Sequence, residues 1–253
     1  MHSDNEKWER LLRYHAWNNE PTVYECARRA FRDLSRTLCY SINMTDLNNQ
    51  KITSKQLAND YEKCKKVFIR KVCHYITICI KNLDNDRDFN VWHKNTCEKI
   101  VKIAKDFIYD EHGSKLFART GKTNNNEILT FFPGQAQKWL NVTLKSMWII
   151  DQKNFDSNLI SKLHIPVDDY IIEAATTKSK NIKTRLTKPY DKHPVKGKEK
   201  KSWSRWEYNE YMSFQKHIIR NFKNNYHDKE FESPIEWEDE AWAEIAKNRK
   251  AGD

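Results

Sequence analysis

The sequence predicts an all-α fold: a single globular helical domain with a basic, proline-containing extended segment. Three observations predict it. Apolar residues recur at three- and four-residue steps over most of the chain, the period of an amphipathic helix. No run of strand-like alternation stands out beside them. Glycine and proline contribute only 5 and 6 of the 253 residues, whereas turn-dense β folds and collagen-like chains need far more.

Taken in order, residues 6–17 and 22–40 form two helices, with Pro21 suited to the first turn of the second because its missing amide hydrogen is not needed there. Between Ser54 and Leu83, the residues Leu57, Tyr61, Cys64, Phe68, Val72, Tyr75 and Cys79 line one face, with lysines and arginines largely between them. The next helix starts near Phe89 and keeps Cys97, Ile100, Val101, Ala104, Phe107 and Ile108 together. It stops at Gly113, a residue suited to a left-handed cap. Residues 121–126 are a polar loop. The Pro133-Gly134 pair forces a turn, and a helix over residues 135–150 follows, its apolar positions being Trp139, Leu140, Leu144, Met147 and Trp148. Residues 151–162 are a linker or short helix, and residues 167–175 begin another helix after Pro166. Residues 178–205, with Pro189, Pro194 and Gly197, read as an extended, partly mobile arm. Residues 206–224 are helical again, and Pro234 opens a last, acidic helix. The expected organisation is a helical domain over residues 1–177, a basic arm over 178–205, and C-terminal helices over 206–253 that pack on the same domain.

Charge sharpens this division. The chain carries a formal net charge of +10, but residues 178–205 hold eleven basic side chains against Asp191 and Glu199, a net of +9. Residues 206–253 are net −4 and residues 1–177 net +5. A concentrated cationic stretch favours anionic partners, above all nucleic acid, over a uniformly cationic surface. Lys183, Arg185, Lys188, Lys198, Lys200, Lys201 and Arg205 are the expected phosphate contacts. Trp203, interleaved with them, is an expected stacking platform for a base.

Other classes are excluded or disfavoured. No segment approaches the ~20 apolar residues of a membrane span, and the N-terminus lacks the apolar core of a signal peptide. The expected location is therefore the cytoplasm. The six cysteines form no CxxC pair and are expected as free thiols, which leaves the sequons at Asn43 and Asn141 unglycosylated. His93 and Cys97 share a helix face at i and i+4, but no second pair with ligand spacing accompanies them, so no metal is expected. Gly121-Lys122-Thr123 lacks the upstream glycine of a phosphate-binding loop, and no cofactor is implied.

Two proline-containing junctions carry the most chemistry. Phe132-Pro133-Gly134-Gln135-Ala136-Gln137-Lys138 resembles the hairpin of the helix-hairpin-helix DNA glycosylases, whose Leu-Pro-Gly-x-Gly-x-Lys pattern sets a lysine at the mouth of a base pocket. His164-Ile165-Pro166-Val167-Asp168-Asp169-Tyr170 is similar to that family's Pro-Val-Asp-x-His segment, in which the aspartate starts a helix beside the same pocket. Ala136 stands at the second hairpin glycine and Tyr170 at the histidine. The resemblance covers residues 128–176. It implies that Lys138 takes the place of the nucleophilic lysine and Asp168 that of the catalytic aspartate, and that the backbone around Gly134, Gln135 and Gln137 grips a DNA phosphate. In such chemistry the target nucleotide is flipped out of the duplex, the carboxylate opposes positive charge developing on the sugar, and the amine attacks C1′. DNA is then the expected partner rather than RNA. The same composition also suits a non-enzymatic interaction protein, such as a phage or mobile-element factor that blocks a host nucleic-acid or defence enzyme through a protein partner. In that case Lys138 is a solvated helix residue and Asp168 a plain N-cap.

Overall fold

In a computed structural model of the chain, the described residues are 22–38, 54–83, 88–106, 131–150, 157–178, 182–196, 198–223, 231 and 233–251. The helix expected at residues 6–17, the cap at Gly113 and the 121–126 loop lie outside them. Eight helices are present among the described residues: α1 (Val23–Ser35), α2 (Ser54–Lys81), α3 (Phe89–Asp106), α4 (Pro133–Ile150), α5 (Ser157–Ile160), α6 (Asp169–Thr176), α7 (Tyr208–Lys223) and α8 (Pro234–Ala251). A two-stranded antiparallel hairpin, β1 (Val195–Lys196) and β2 (Glu199–Lys200), and a 3-10 turn at Trp203–Arg205 lie between α6 and α7. The class is all-α.

Local chemistry explains the helix starts. Pro21 lies outside the described residues, and Thr22 marks the entrance to α1: its hydroxyl accepts from the Glu25 amide at 3.3 Å while the Glu25 carboxylate accepts from the Thr22 amide at 2.9 Å. This reciprocal capping box satisfies two otherwise orphaned donors. Asp88 caps α3 by accepting from the Asn90 amide at 2.9 Å. Pro133 and Gly134 do not form a turn ahead of α4; they are its first two residues, where a proline costs no hydrogen bond. The Gln135 side chain reaches back to accept from the Phe132 amide at 2.9 Å.

α4 is the axle of the molecule, buried at every position from Gly134 to Leu144. α1 runs antiparallel beside it, and the small residues Ala27 and Ala30 on α1 let the two backbones approach. The Trp139 indole spans the gap and donates to the Ala27 carbonyl at 2.7 Å. Phe31, Phe68 and Trp139 meet ring to ring, with centroids 4.9 to 6.3 Å apart, tying α1, α2 and α4 into one aromatic core.

The basic segment corrects the expectation of an extended, mobile arm. Leu186, Tyr190, Trp203 and Trp206 are all buried and belong to the same core as the helices around them. Trp206 donates its indole hydrogen to the Lys201 carbonyl at 3.0 Å, and Tyr190 packs edge-on against Phe214 of α7. Four large aromatic and aliphatic anchors bury enough apolar area to hold a stretch whose charges mostly point outward. None of the described helices is long and apolar enough to cross a membrane.

Candidate functional site

Lys138 sits on α4 and Asp168 at the N-cap of α6, 30 residues apart in sequence, and they meet. Lys138 Nζ lies 2.8 Å from Asp168 Oδ2, with the two side chains only 7% and 14% exposed. Two further donors converge on the same carboxylate: the Ile171 amide reaches Oδ1 at 3.0 Å, and the Trp242 indole of α8 reaches Oδ2 at 3.2 Å. Asp168 is therefore an N-cap and an ion-pair partner at once. Burial by itself raises its carboxyl, but the Lys138 ammonium, the helix amide and the indole outweigh burial and hold it below the ordinary carboxylate value. Asp168 is ionised and fixed in one orientation.

A second carboxylate approaches from α1. Asp33 is shifted the other way, upward, by burial and the neighbouring Asp168 charge, against the opposing pull of Lys138, Arg29 and Arg36. From α8, Glu238 is also shifted up by burial, against Lys145 and Lys138, and it pairs with Lys145 at 2.5 Å. Lys138 and Lys145 are seven positions apart, two turns of α4, so both ammonium groups look into one charged seam between α4 and α8. Tyr170 packs at a tilt against Trp242 with centroids 5.2 Å apart and carries the Arg249 guanidinium over its ring at 4.2 Å, which forms the outer wall beside Asp168.

The segment that presents Asp168 is clamped by side-chain amides. Gln137 donates to the Val167 carbonyl at 3.2 Å and accepts from the Val167 amide at 3.4 Å. Gln215 of α7 does the same for Ile165, donating at 2.7 Å and accepting at 3.2 Å. Asn141 adds a third contact to the Ile165 carbonyl at 3.2 Å. Beneath them, two fully buried imidazoles, His93 and His164, lie with centroids 4.5 Å apart. Their partners run in one direction. Tyr208 donates to His93 Nδ1, His93 Nε2 to Asn141 Oδ1, Asn141 to Tyr211, Tyr211 to His164 Nδ1, and His164 Nε2 to Asn90, all at 2.8 to 2.9 Å. Every member is satisfied with both imidazoles neutral. Burial drives His93 down to about 4 and His164 well below its ordinary value.

Several expected nucleic-acid contacts are corrected. Gly134 makes its close approach to the protein's own backbone, because a Cβ there would run into the Trp203 carbonyl oxygen and lie 3.1 Å from the Trp206 amide nitrogen; its amide donates to the Trp206 carbonyl at 2.9 Å. Gln135 is buried and bonds Thr37 at 3.2 Å. Gln137 is buried in the clamp just described, and Trp203 is a core side chain at 5% exposure. None of these four offers a surface to a phosphate or a base. Lys183, Arg185, Lys188, Lys198 and Lys200 are exposed. Lys201 is half-buried and pairs with Glu210 at 2.6 Å, and Arg205 is half-buried on the 3-10 turn. The structure adds cations the sequence did not group with them: His217 of α7 contacts the Lys188 carbonyl at 2.7 Å, which brings the exposed Lys216 and Arg220 alongside Lys188. His93 and Cys97 are 3.7 Å apart, and among the described residues no group of three or more side chains is placed to hold a metal ion.

Asp33, Trp242 and the buried imidazole and amide network escaped sequence reasoning. A signal existed for the network. Gln137, Lys138 and Asn141 fall at helical spacing within a strongly aromatic helix, the mark of polar groups held inside a core. For Asp33 the sequence offers none. Comparison of the chain with protein-family models, with curated proteins and with solved structures returned no match.

Proposed function

We propose that this chain binds nucleic acid through the cationic surface of residues 183–200 and α7, and breaks N-glycosidic bonds at a site built on Lys138 and Asp168. The convergence of those two side chains carries the proposal. An ammonium and a carboxylate that motif resemblance alone singles out, 30 residues apart, stand 2.8 Å from one another beside a helix N-terminus. Asp168, ionised and rigidly held, is suited to oppose the positive charge that develops on the sugar as the base departs. Lys138 is the adjacent nucleophile for C1′, and a flipped nucleoside has to part the pair to reach it. The exposed lysines and arginines supply the affinity, with a steep salt dependence.

The test uses Lys138→Ala and Asp168→Asn variants of the full chain with duplex DNA carrying uracil, oxidised purine or abasic lesions. Each variant should abolish base release and borohydride trapping while leaving DNA affinity within about threefold, since neither side chain belongs to the exposed basic surface. A wild-type chain that neither releases a base nor traps sinks the excision reading. If neutralising the exposed cations also leaves DNA affinity unchanged, nucleic-acid binding falls as well, and a non-enzymatic interaction protein is the better account.

A further inference from the structure

We infer that Asp33 is the proton-accepting carboxylate of the Lys138–Asp168 site, taking a proton from Lys138 when the pair is opened by substrate. The inference rests on the excision reading above and adds a group that the motif resemblance does not contain.

The placement follows from how α1 lies on α4. Trp139 bonds the Ala27 carbonyl and Gln135 bonds Thr37, so α1 ascends as α4 descends. Asp33 is one turn before Thr37, and Lys138 is one turn after Gln135. The two therefore face each other across the same interface, and Asp33 feels the charges of both Lys138 and Asp168. The charged groups around it are Lys138 from α4, Asp168 from α6, and Arg29 and Arg36 from its own helix. Among the described residues Asp33 makes no hydrogen bond or ion pair, unlike Asp168, which has three donors.

That contrast assigns the roles. A carboxylate saturated with donors is a poor base, whereas one that is partly desolvated, unpaired and beside an ammonium is a good one. Two carboxylates with oppositely displaced titrations around one amine are the usual sign of divided acid-base labour. The balance is simple. Lys138 Nζ gives one proton to Asp33, and its freed lone pair forms a bond to C1′. The C1′–N bond breaks, its electron pair leaves with the base, and the departing ring nitrogen takes a proton from water. Asp168 stays ionised throughout.

The experiment measures single-turnover base release and borohydride trapping for wild type, Asp33→Asn, Asp33→Glu and Asp33→Ala between pH 5 and 9, with DNA affinity measured in parallel. Asp33→Asn should slow the reaction about 10²- to 10³-fold with affinity unchanged. It should also remove the acid limb of the wild-type profile, the fall in rate as Asp33 becomes protonated. Asp33→Glu should recover part of the rate, and formate should rescue Asp33→Ala, which a purely structural carboxylate would not allow. An active wild type with Lys138→Ala inactive but Asp33→Asn at full rate, its acid limb intact, overturns the role of Asp33 and leaves the excision reading standing. An inactive wild type overturns both.

Discussion

Removing either half of the Lys138–Asp168 pair should destabilise the protein far more than removing both. The contact is 2.8 Å long and its members are 7% and 14% exposed, so each ion alone has lost most of its hydration. Deleting one partner of such a pair costs about 3–5 kcal/mol, chiefly from the stranded charge. Lys138→Met leaves Asp168 with the Ile171 amide and the Trp242 indole, which places it near the lower end, at about 3 kcal/mol. Asp168→Asn keeps the N-cap, since asparagine caps as well as aspartate, and isolates the loss of charge. It strands an ammonium that still feels the charges of Asp33 and Glu238. The double variant strands nothing, and should lie within about 1 kcal/mol of wild type. Urea unfolding followed by tryptophan fluorescence measures all four corners of the cycle, and the coupling, the two single losses less that of the double variant, should be about 5–7 kcal/mol. Simple additivity, with coupling below about 0.5 kcal/mol, would show that the pair is solvated and refute the desolvation on which this magnitude depends.

Gly134→Ala should destabilise the chain by about 2–4 kcal/mol, from overpacking and a broken hydrogen bond together. A Cβ would meet the Trp203 carbonyl and push α4 off the 3-10 turn; thermal melting checks this, and an unchanged midpoint refutes it. Acid should weaken the fold through the buried imidazoles as pH falls from about 6.5 to about 4. His93 is lowered to about 4 against ~6.5 in an unfolded chain, so between those values only the unfolded state binds the proton. Stability therefore declines as pH falls through that window, on the order of 3 kcal/mol from His93, with His164 adding in the same direction. A His93→Gln variant should flatten the slope measured by denaturant titration at pH 7, 6, 5 and 4.5. Finally, replacing Lys183, Arg185 and Lys188 by glutamine should lower the slope of log affinity against log salt by about 0.9 for each duplex phosphate left without its cation. Gln137→Ala, by contrast, should leave that slope unchanged, since Gln137 is buried.

The corrections to the nucleic-acid surface share one cause. Gly134, Gln135 and Gln137 are polar or small residues at the start of a helix, and sequence alone presents such residues as solvent-facing. Here the helix start is driven into the interior, and each polar atom finds a partner inside: Trp206, Thr37 and Val167 respectively. Burying polar groups in this way is tolerable only because they are satisfied. The Gln137 bonds, with those of Gln215 and Asn141, fix residues 165 and 167 just ahead of Asp168 and so set the direction of its carboxylate. The basic segment illustrates the converse: its charges do face outward, but its aromatic residues are anchors and not stacking platforms.

Local chemistry along the chain suffices for the helical class, for the starts of α1 to α4 and α6 to α8 to within a few residues, and for the two junctions where Lys138 and Asp168 lie. A period of three to four apolar residues, a capping threonine and a proline at the first turn all act over one or two helical turns. Long-range docking was needed to hold the cationic stretch down through Tyr190, Trp203 and Trp206, and to bring Asp33 and Trp242 to the ion pair. It also wires His93 and His164 together through Asn141 and Tyr211. The contacts of that network link residues 47 to 115 positions apart, beyond the four-residue horizon of helical periodicity. Which of many buried polar groups meet is settled only when whole helices pack and each must satisfy its donors and acceptors at once.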